Sequence, residues 1–103
     1  MRFITSKREY QSVYEDNIKY EGNLFIVLKK NIPDDLFAVG IVVSKKVGKA
    51  VNRNKVKRRV NAFLRENVHL HKSGKKIVVI AKPEAGNAEW KEIEKELTAL
   101  FSK

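Results

Sequence analysis

The residues best suited to chemistry lie in one run, Ser44-Lys45-Lys46-Val47-Gly48-Lys49-Ala50-Val51-Asn52-Arg53-Asn54-Lys55-Val56-Lys57-Arg58-Arg59. From Leu36 to Arg65 there is no Asp or Glu, and the same thirty residues carry nine Lys or Arg. Like charge so concentrated repels itself and opposes a compact fold, so a domain that keeps it is expected to meet a polyanion. Laid on a helix at about 100° per residue, Asn54, Arg58, Asn61 and Arg65 fall on one line, opposite Val56, Val60 and Phe63. Arg53 and Lys57 flank that line on one shoulder, and Lys55 and Arg59 on the other. Arginine offers a planar donor fork that suits phosphate. Asparagine can donate and accept toward a base edge or a 2′-hydroxyl. Lys45, Lys46 and Lys49 precede the helix start, where a phosphate could rest. With Gly48 as the only glycine and no Gly-Lys-Ser/Thr ending, the run is not a P-loop. A basic helix face can be merely solvated; the missing acids and the alternation of Arg with Asn at helical spacing favour binding.

Constellations for catalysis are missing. His69 and His71 are two residues apart near a helix end, poor geometry for a shared metal, and no metal site is expected. Asp34-Asp35 falls in a turn, Glu66 is isolated among basic residues, and no Ser/His/Asp or paired-carboxylate pattern is evident. The chain has no Cys, hence no thiol nucleophile, disulfide or Cys-ligated zinc, which fits a reducing cytoplasm. Any phosphodiester chemistry is therefore expected from a partner. Tyr10 and Tyr14 share a helix face. Aromatics beside a basic groove can stack single-stranded bases, whereas tyrosines on a short amphipathic helix commonly pack in the core; composition alone leans to the core.

The length of 103 residues fits one domain. The net charge of +10 favours nucleic acid, with an anionic membrane surface as the weaker option. Met1 to Lys7 has no apolar run suited to a signal peptide. The longest uncharged run, Leu36 to Ser44, is too short to cross a bilayer. The basic helix needs its apolar stripe for the core, which argues against a membrane-surface protein.

The elements that must position these residues follow from capping and periodicity. Ser6 and Glu9 have capping-box spacing, so a helix is expected from Lys7 to about Asp16, ended by a left-handed Asn17. Leu24–Leu28 and Leu36–Val43 read as strands, and the short turn between them predicts an antiparallel hairpin. A brief strand over 18–21 is also compatible with the pattern. The basic helix is expected from Asn52 or Arg53 to about Leu70, stopped by Gly74. Lys76–Ala81 is a buried-type strand, and Asn87 is a good N-cap for a last helix whose stripe is Trp90, Ile93, Leu97, Leu100 and Phe101. That helix is acidic and should face away from a polyanion. The order αββαβα predicts an α+β fold: a two-layer sandwich, with helices on one side of a mixed, mainly antiparallel sheet.

The run from Ser44 to Arg58 closely resembles the signature of the bacterial ribonuclease P protein component, an "RNR"-type motif after Ser-Lys-Lys-x-Gly. Lys7-Arg8-Glu9-Tyr10-Gln11-Ser12-Val13-Tyr14 is similar to the family's first helix, and Ile77–Pro83 to its segment before the last helix. The resemblance implies a left-handed β-α-β crossover at the basic helix. It also implies a single RNA-binding domain over 1–103, partnered by a catalytic RNA that cleaves the 5′ leader from precursor tRNA with Mg²⁺ held mainly by the RNA. On that resemblance Tyr10, Tyr14, Ile26 and Leu28 line a cleft for the single-stranded leader. Lys45, Lys46, Lys49, Arg53, Asn54, Lys55, Lys57, Arg58, Asn61 and Arg65 would contact RNA. The chain departs from the family at Lys55, where the motif has Arg, at Asn61-Ala62, often Arg-Glu, at Leu28, often aromatic, and at Asn17, commonly Gly. The competing expectation is a generic RNA-binding or ribosome-associated module without a nuclease role.

Overall fold

The computed structural model describes all 103 residues. In chain order the elements are β1 (Arg2–Phe3), α1 (Lys7–Glu15), β2 (Ile18–Glu21), β3 (Phe25–Asn31), β4 (Phe37–Val42), α2 (Ala50–Glu66), β5 (Lys75–Ala81) and α3 (Trp90–Ser102). Single 3-10 turns lie at Lys45–Val47, Val68–Leu70 and Pro83–Asn87. The strands form one sheet in the order β1-β4-β5-β3-β2.

The expected hairpin does not form. β5 runs between β3 and β4, antiparallel to the first and parallel to the second. The reason is in β5 itself: Ile77, Val78, Val79 and Ala81 are all buried, so both of its faces need cover and it takes the centre. β4, α2 and β5 thereby make a parallel β-α-β unit. The short strand over 18–21 is real and pairs antiparallel with β3, while β1, which the sequence pattern did not suggest, adds in parallel to β4. With two parallel and two antiparallel pairings the sheet is evenly mixed rather than mainly antiparallel.

Helices cover both faces rather than one. Period-two alternation sends Phe25, Val27, Val39, Ile77 and Val79 to one face, where Val56, Val60, Phe63 and Leu64 of α2 and Ile93, Leu97, Leu100 and Phe101 of α3 complete the main core. Phe63 meets Phe101 edge to face at 5.5 Å. Leu28, Ala38 and Val78 point the other way and bury Val13 of α1 together with Ile4.

Local differences have local causes. Ser6 Oγ accepts from the amide of Glu9 at 3.1 Å as expected, but the Glu9 carboxylate turns to Arg2 and to Lys76 Nζ at 3.1 Å instead of back to Ser6. Asn17 ends α1 through its side chain, donating to the Val13 and Tyr14 carbonyls at 2.7 and 3.2 Å, with no left-handed backbone. α2 begins at Ala50, earlier than expected, and its last turn tightens to 3-10 after Glu66. Gly74, at φ 74°, does not stop that helix directly. It turns the chain into β5, its amide donating to Leu36 O at 2.9 Å. Asn87 sits in a 3-10 turn, and Glu89 caps α3 in a capping box with Glu92.

Candidate nucleic-acid interface

Two surfaces carry the chemistry. The first is the outer face of α2 with the turn that feeds it. β4 leaves the sheet at Val42, and Ser44 Oγ caps the 3-10 turn by accepting from Lys46 N at 3.3 Å. Gly48, at φ 136°, then redirects the chain in a conformation that side chains resist. Lys49 occupies the N-cap of α2 without a side-chain capping bond, so the first amides of the helix stay open.

Burying Val56, Val60, Phe63 and Leu64 turns Asn54, Lys55, Lys57, Arg58 and Arg65 outward, all exposed, beside exposed Lys45, Lys46 and Lys49. Arg53 is half-buried because it lies above the apolar stripe, and Asn61 is half-buried with its Oδ1 enclosed and unpartnered. None of these ten side chains makes a salt bridge or a side-chain hydrogen bond within the chain. The cations of the sheet and its ends, and Arg59, are engaged within the chain, whereas Lys7, Arg8, Lys72, Lys91, Lys95 and Lys103 are as unpartnered as the α2 set. Arg59, on the shoulder of the same helix, donates to Ala88 O at 2.7 Å and ties α2 to the corner before α3. Lys30 donates to Ser12 O at 3.1 Å, Lys76 pairs with Glu9, and Lys82 pairs with Glu21 at 2.6 Å. What sets the α2 group apart is its density: eight Lys or Arg on one turn and one helix face, none engaged within the chain.

The second surface is a groove on the opposite face of the sheet. α1 is short and covers only part of that face. Its rows are set by register: Leu28, Val78 and Gly40 lie side by side, and next to them Ile26, Ile80 and Val42. α1 buries the first row, whereas Ile26, Ile80 and Val42 are only partly covered and form an apolar floor. Tyr10 and Tyr14 form the wall, with ring centroids 6.2 Å apart and 29° between planes. Tyr10 lies over Gly40, where a Cβ would come within 2.5 Å of its ring. The recess lined by Lys7, Tyr10, Gln11, Tyr14 and Val42 has a volume of about 460 Å³. Burial, and then the neighbouring Tyr10, raise the Tyr14 pKa above the usual value near 10. Tyr14 is 43% exposed, so it is not a core residue.

Leu28 does not line this groove: it is buried under α1. Its place is taken by Ile80 and Val42, which the sequence reading missed. Their signal was the side they share with Ile26, visible only once β5 is known to separate β3 from β4. No α2 side chain reaches the recess, because α2 packs on the other face; the Ser44–Gly48 turn connects the two surfaces. His71 stacks on Phe37 at 4.6 Å, with its Nε2 enclosed, away from both surfaces. No cluster of three His, Cys, Asp or Glu side chains comes together anywhere in the chain.

A basic, self-unpartnered helix face and an aromatic groove together are what a protein needs to hold a folded RNA and a single strand at once. The sequence profile of the family described as ribonuclease P matches residues 2–103. The chain belongs to the ribonuclease P protein component family. It is 35% identical over 100 residues to the ribonuclease P protein component of a Nitratiruptor species, covering 97% of this chain and 89% of the relative. It is 34% identical over 102 residues to that of Clostridium acetobutylicum, covering 97% and 86%. The solved structure of the Staphylococcus aureus RNase P protein superposes with a TM-score of 0.88 at 32% identity, over 99% of this chain and 94% of that one. The RNase P protein from Thermotoga maritima gives 0.86 at 26% identity, over 100% and 98%. As a ribonuclease P protein component the chain is a subunit of a ribonucleoprotein endonuclease of tRNA 5′ processing, and an RNA is its partner. No helix is long and apolar enough to cross a membrane.

Proposed function

We propose that the outer face of α2 and the Lys45–Lys49 turn hold the catalytic RNA of ribonuclease P. On this reading the tyrosine groove holds the single-stranded 5′ leader of precursor tRNA. The observation that carries it is the division of labour among the cations: the ten α2-side residues have no partner within the chain, while the cations of the sheet and of Arg59 do. Unpartnered guanidinium and ammonium groups gain most from phosphate oxygens, and neutralising them relieves their mutual repulsion. Lys55 keeps the charge of the motif's second Arg but not its bidentate fork. The leader is held by stacking and apolar contact on Tyr10, Tyr14 and the Ile26–Ile80–Val42 floor. That mode tolerates sequence variation, because every base has a flat face.

No set of ligands for a metal is assembled in the protein. On this reading Mg²⁺ is held mainly by the RNA partner, and the protein contributes binding, orientation and charge neutralisation. The work is expected in the cytoplasm, with no small-molecule substrate.

The test is reconstitution with the catalytic RNA at limiting Mg²⁺. The protein should lower the Mg²⁺ requirement and improve binding of leader-bearing precursor over mature tRNA. Tyr10→Ala with Tyr14→Ala should remove that preference while leaving mature tRNA binding in place. Equal losses for the two substrates would refute the leader role. No effect of the wild-type protein on Mg²⁺ requirement or leader binding would leave a generic RNA-binding module.

A further inference from the structure

Lys29 is the one charged residue the fold buries, at 8% exposure. It projects from β3 to the α2/α3 face of the sheet, at the end of α3. Its Nζ donates to the carbonyl oxygens of Phe101 and Lys103, both at 3.0 Å, and lies 4.9 Å from the centre of the Tyr20 ring. No Asp or Glu side chain pairs with it. Three more lysines, Lys72, Lys75 and Lys103, line the same recess of about 110 Å³, no Asp or Glu does, and Lys75 Nζ donates to Asn31 Oδ1 at its edge. Even a carboxylate on Lys103 itself would answer only one of the four. Burial, followed by repulsion from Lys72 and Lys75, lowers the Lys29 pKa from its usual value.

A buried lysine beside Lys72 and Lys75, in a recess that has no Asp or Glu side chain, is an unfavourable arrangement in the empty protein. A bound oxyanion would add an attraction to each lysine and so offset their mutual repulsion. Main-chain oxygens accept from Lys29 Nζ twice, and its third proton has no hydrogen-bond acceptor, only the neighbouring Tyr20 ring. We propose that this recess is a second anion site, taking a phosphate-class oxyanion. It is distinct from both surfaces above. It lies on the opposite face of the sheet from the tyrosine groove, beside the 3-10 turn that follows α2 and so beyond the far end of a helix about 25 Å long from Lys49. The oxyanion could be free phosphate or a phosphodiester of an RNA backbone; the chemistry of recognition is the same.

The test is an NMR titration of the full chain with inorganic phosphate, read at Phe101, Ile77 and the Lys29 side chain. Saturable shifts are expected there, at a concentration independent of those on α2. Lys72→Ala and Lys75→Ala should each weaken that saturation roughly tenfold, the value of one charge-assisted contact. Lys29→Met should abolish it; should that variant fail to fold, the two exposed lysines still decide. Absence of saturable shifts at these residues, or unchanged affinity in the Lys72→Ala/Lys75→Ala double variant, overturns the proposal. Repeating the titration with a short single-stranded RNA separates the sources. Shifts in the recess that phosphate competes away support the site with an RNA backbone as occupant. RNA that leaves the recess unmoved, where phosphate saturates it, supports the site with free oxyanion as occupant.

Discussion

Gly40 provides the sharpest test of the tyrosine groove, because it touches the groove without belonging to its wall. It is a buried strand residue without a positive φ, so the backbone of β4 would accept alanine. The obstacle is the Tyr10 ring: a Cβ at Gly40 would sit 2.5 Å from Cε1 and 2.8 Å from Cζ and the hydroxyl oxygen. Carbon atoms in contact prefer about 3.5–4.0 Å, so the ring must retreat by about 1 Å or swing off the sheet. Overpacking of this kind costs about 1–3 kcal/mol. In a domain of this size that corresponds to a fall in Tm of about 4–8 °C per kcal/mol.

Either escape breaks the Tyr10–Tyr14 pair that walls the groove. A base stacked on an aromatic side chain is worth about 1–3 kcal/mol, so Gly40→Ala should weaken binding of leader-bearing precursor tRNA about 5- to 150-fold. Mature tRNA, which has no leader to stack, should bind as before. The measurement is the affinity of the reconstituted RNA–protein complex for the two substrates, beside a thermal melt of the free protein. In a Tyr10→Ala background the ring is absent and Gly40→Ala should add almost nothing. A Gly40→Ala protein with unchanged Tm and unchanged leader preference would refute the steric argument. So would a cost that persists in full without Tyr10.

Three other outcomes are expected. Glu96 of α3 accepts from the amides of Asn23, Leu24 and Phe25 at 2.7–2.8 Å and so fixes the β2–β3 turn; Glu96→Ala should destabilise the fold by at least about 2 kcal/mol in chemical denaturation. Hydrogen bonding from Arg2, and then from Lys76 against the cost of burial, holds the Glu9 carboxyl down from 4.5 to about 2. The contribution of Glu9 is thus present above pH 4.5 and is lost as pH falls toward 2; Glu9→Gln should flatten that acid limb of the stability profile, and an unchanged limb would exclude the Glu9 linkage. Five phosphates neutralised on α2 would give a slope of log K against log salt of roughly −3.5 to −4.5, and catalytic-RNA binding insensitive to salt would rule out the electrostatic role.

Local signals in the sequence carried far. The Ser6 cap, the apolar stripe of α2 and the outward line of Asn54, Arg58 and Arg65 need only a helix and its period, and they stand as expected. What depended on distant pairing did not follow. A five-residue turn between β3 and β4 favours a hairpin locally, and nothing near it announces that a strand more than thirty residues later will separate the two. The clue lay in β5, whose apolar run without alternation asks for cover on both faces and hence for a central position. The same error hid the groove floor. With β3 beside β4, Ile26 has no Ile80 next to it, and Leu28 looks as available as Ile26. Spacing put Arg58 on the outward line and Arg59 on its shoulder, but it could not show that Arg59 reaches the carbonyl of Ala88.

The position of β5 also couples the two surfaces. β4 ends the groove floor at Val42, and one residue further on Ser44 to Gly48 form the basic turn that leads to α2. The stretch of chain that joins the floor to the basic helix, from Leu36 to Arg65, carries no Asp or Glu of its own. The central strand holds this geometry from both sides: Val78 packs under α1, while Val79 packs under α2 and α3. A cavity at Val78 would loosen the groove first, and one at Val79 the seat of the basic helix. The two surfaces are separable by residue although one strand supports both, because neighbouring side chains of a strand face opposite ways.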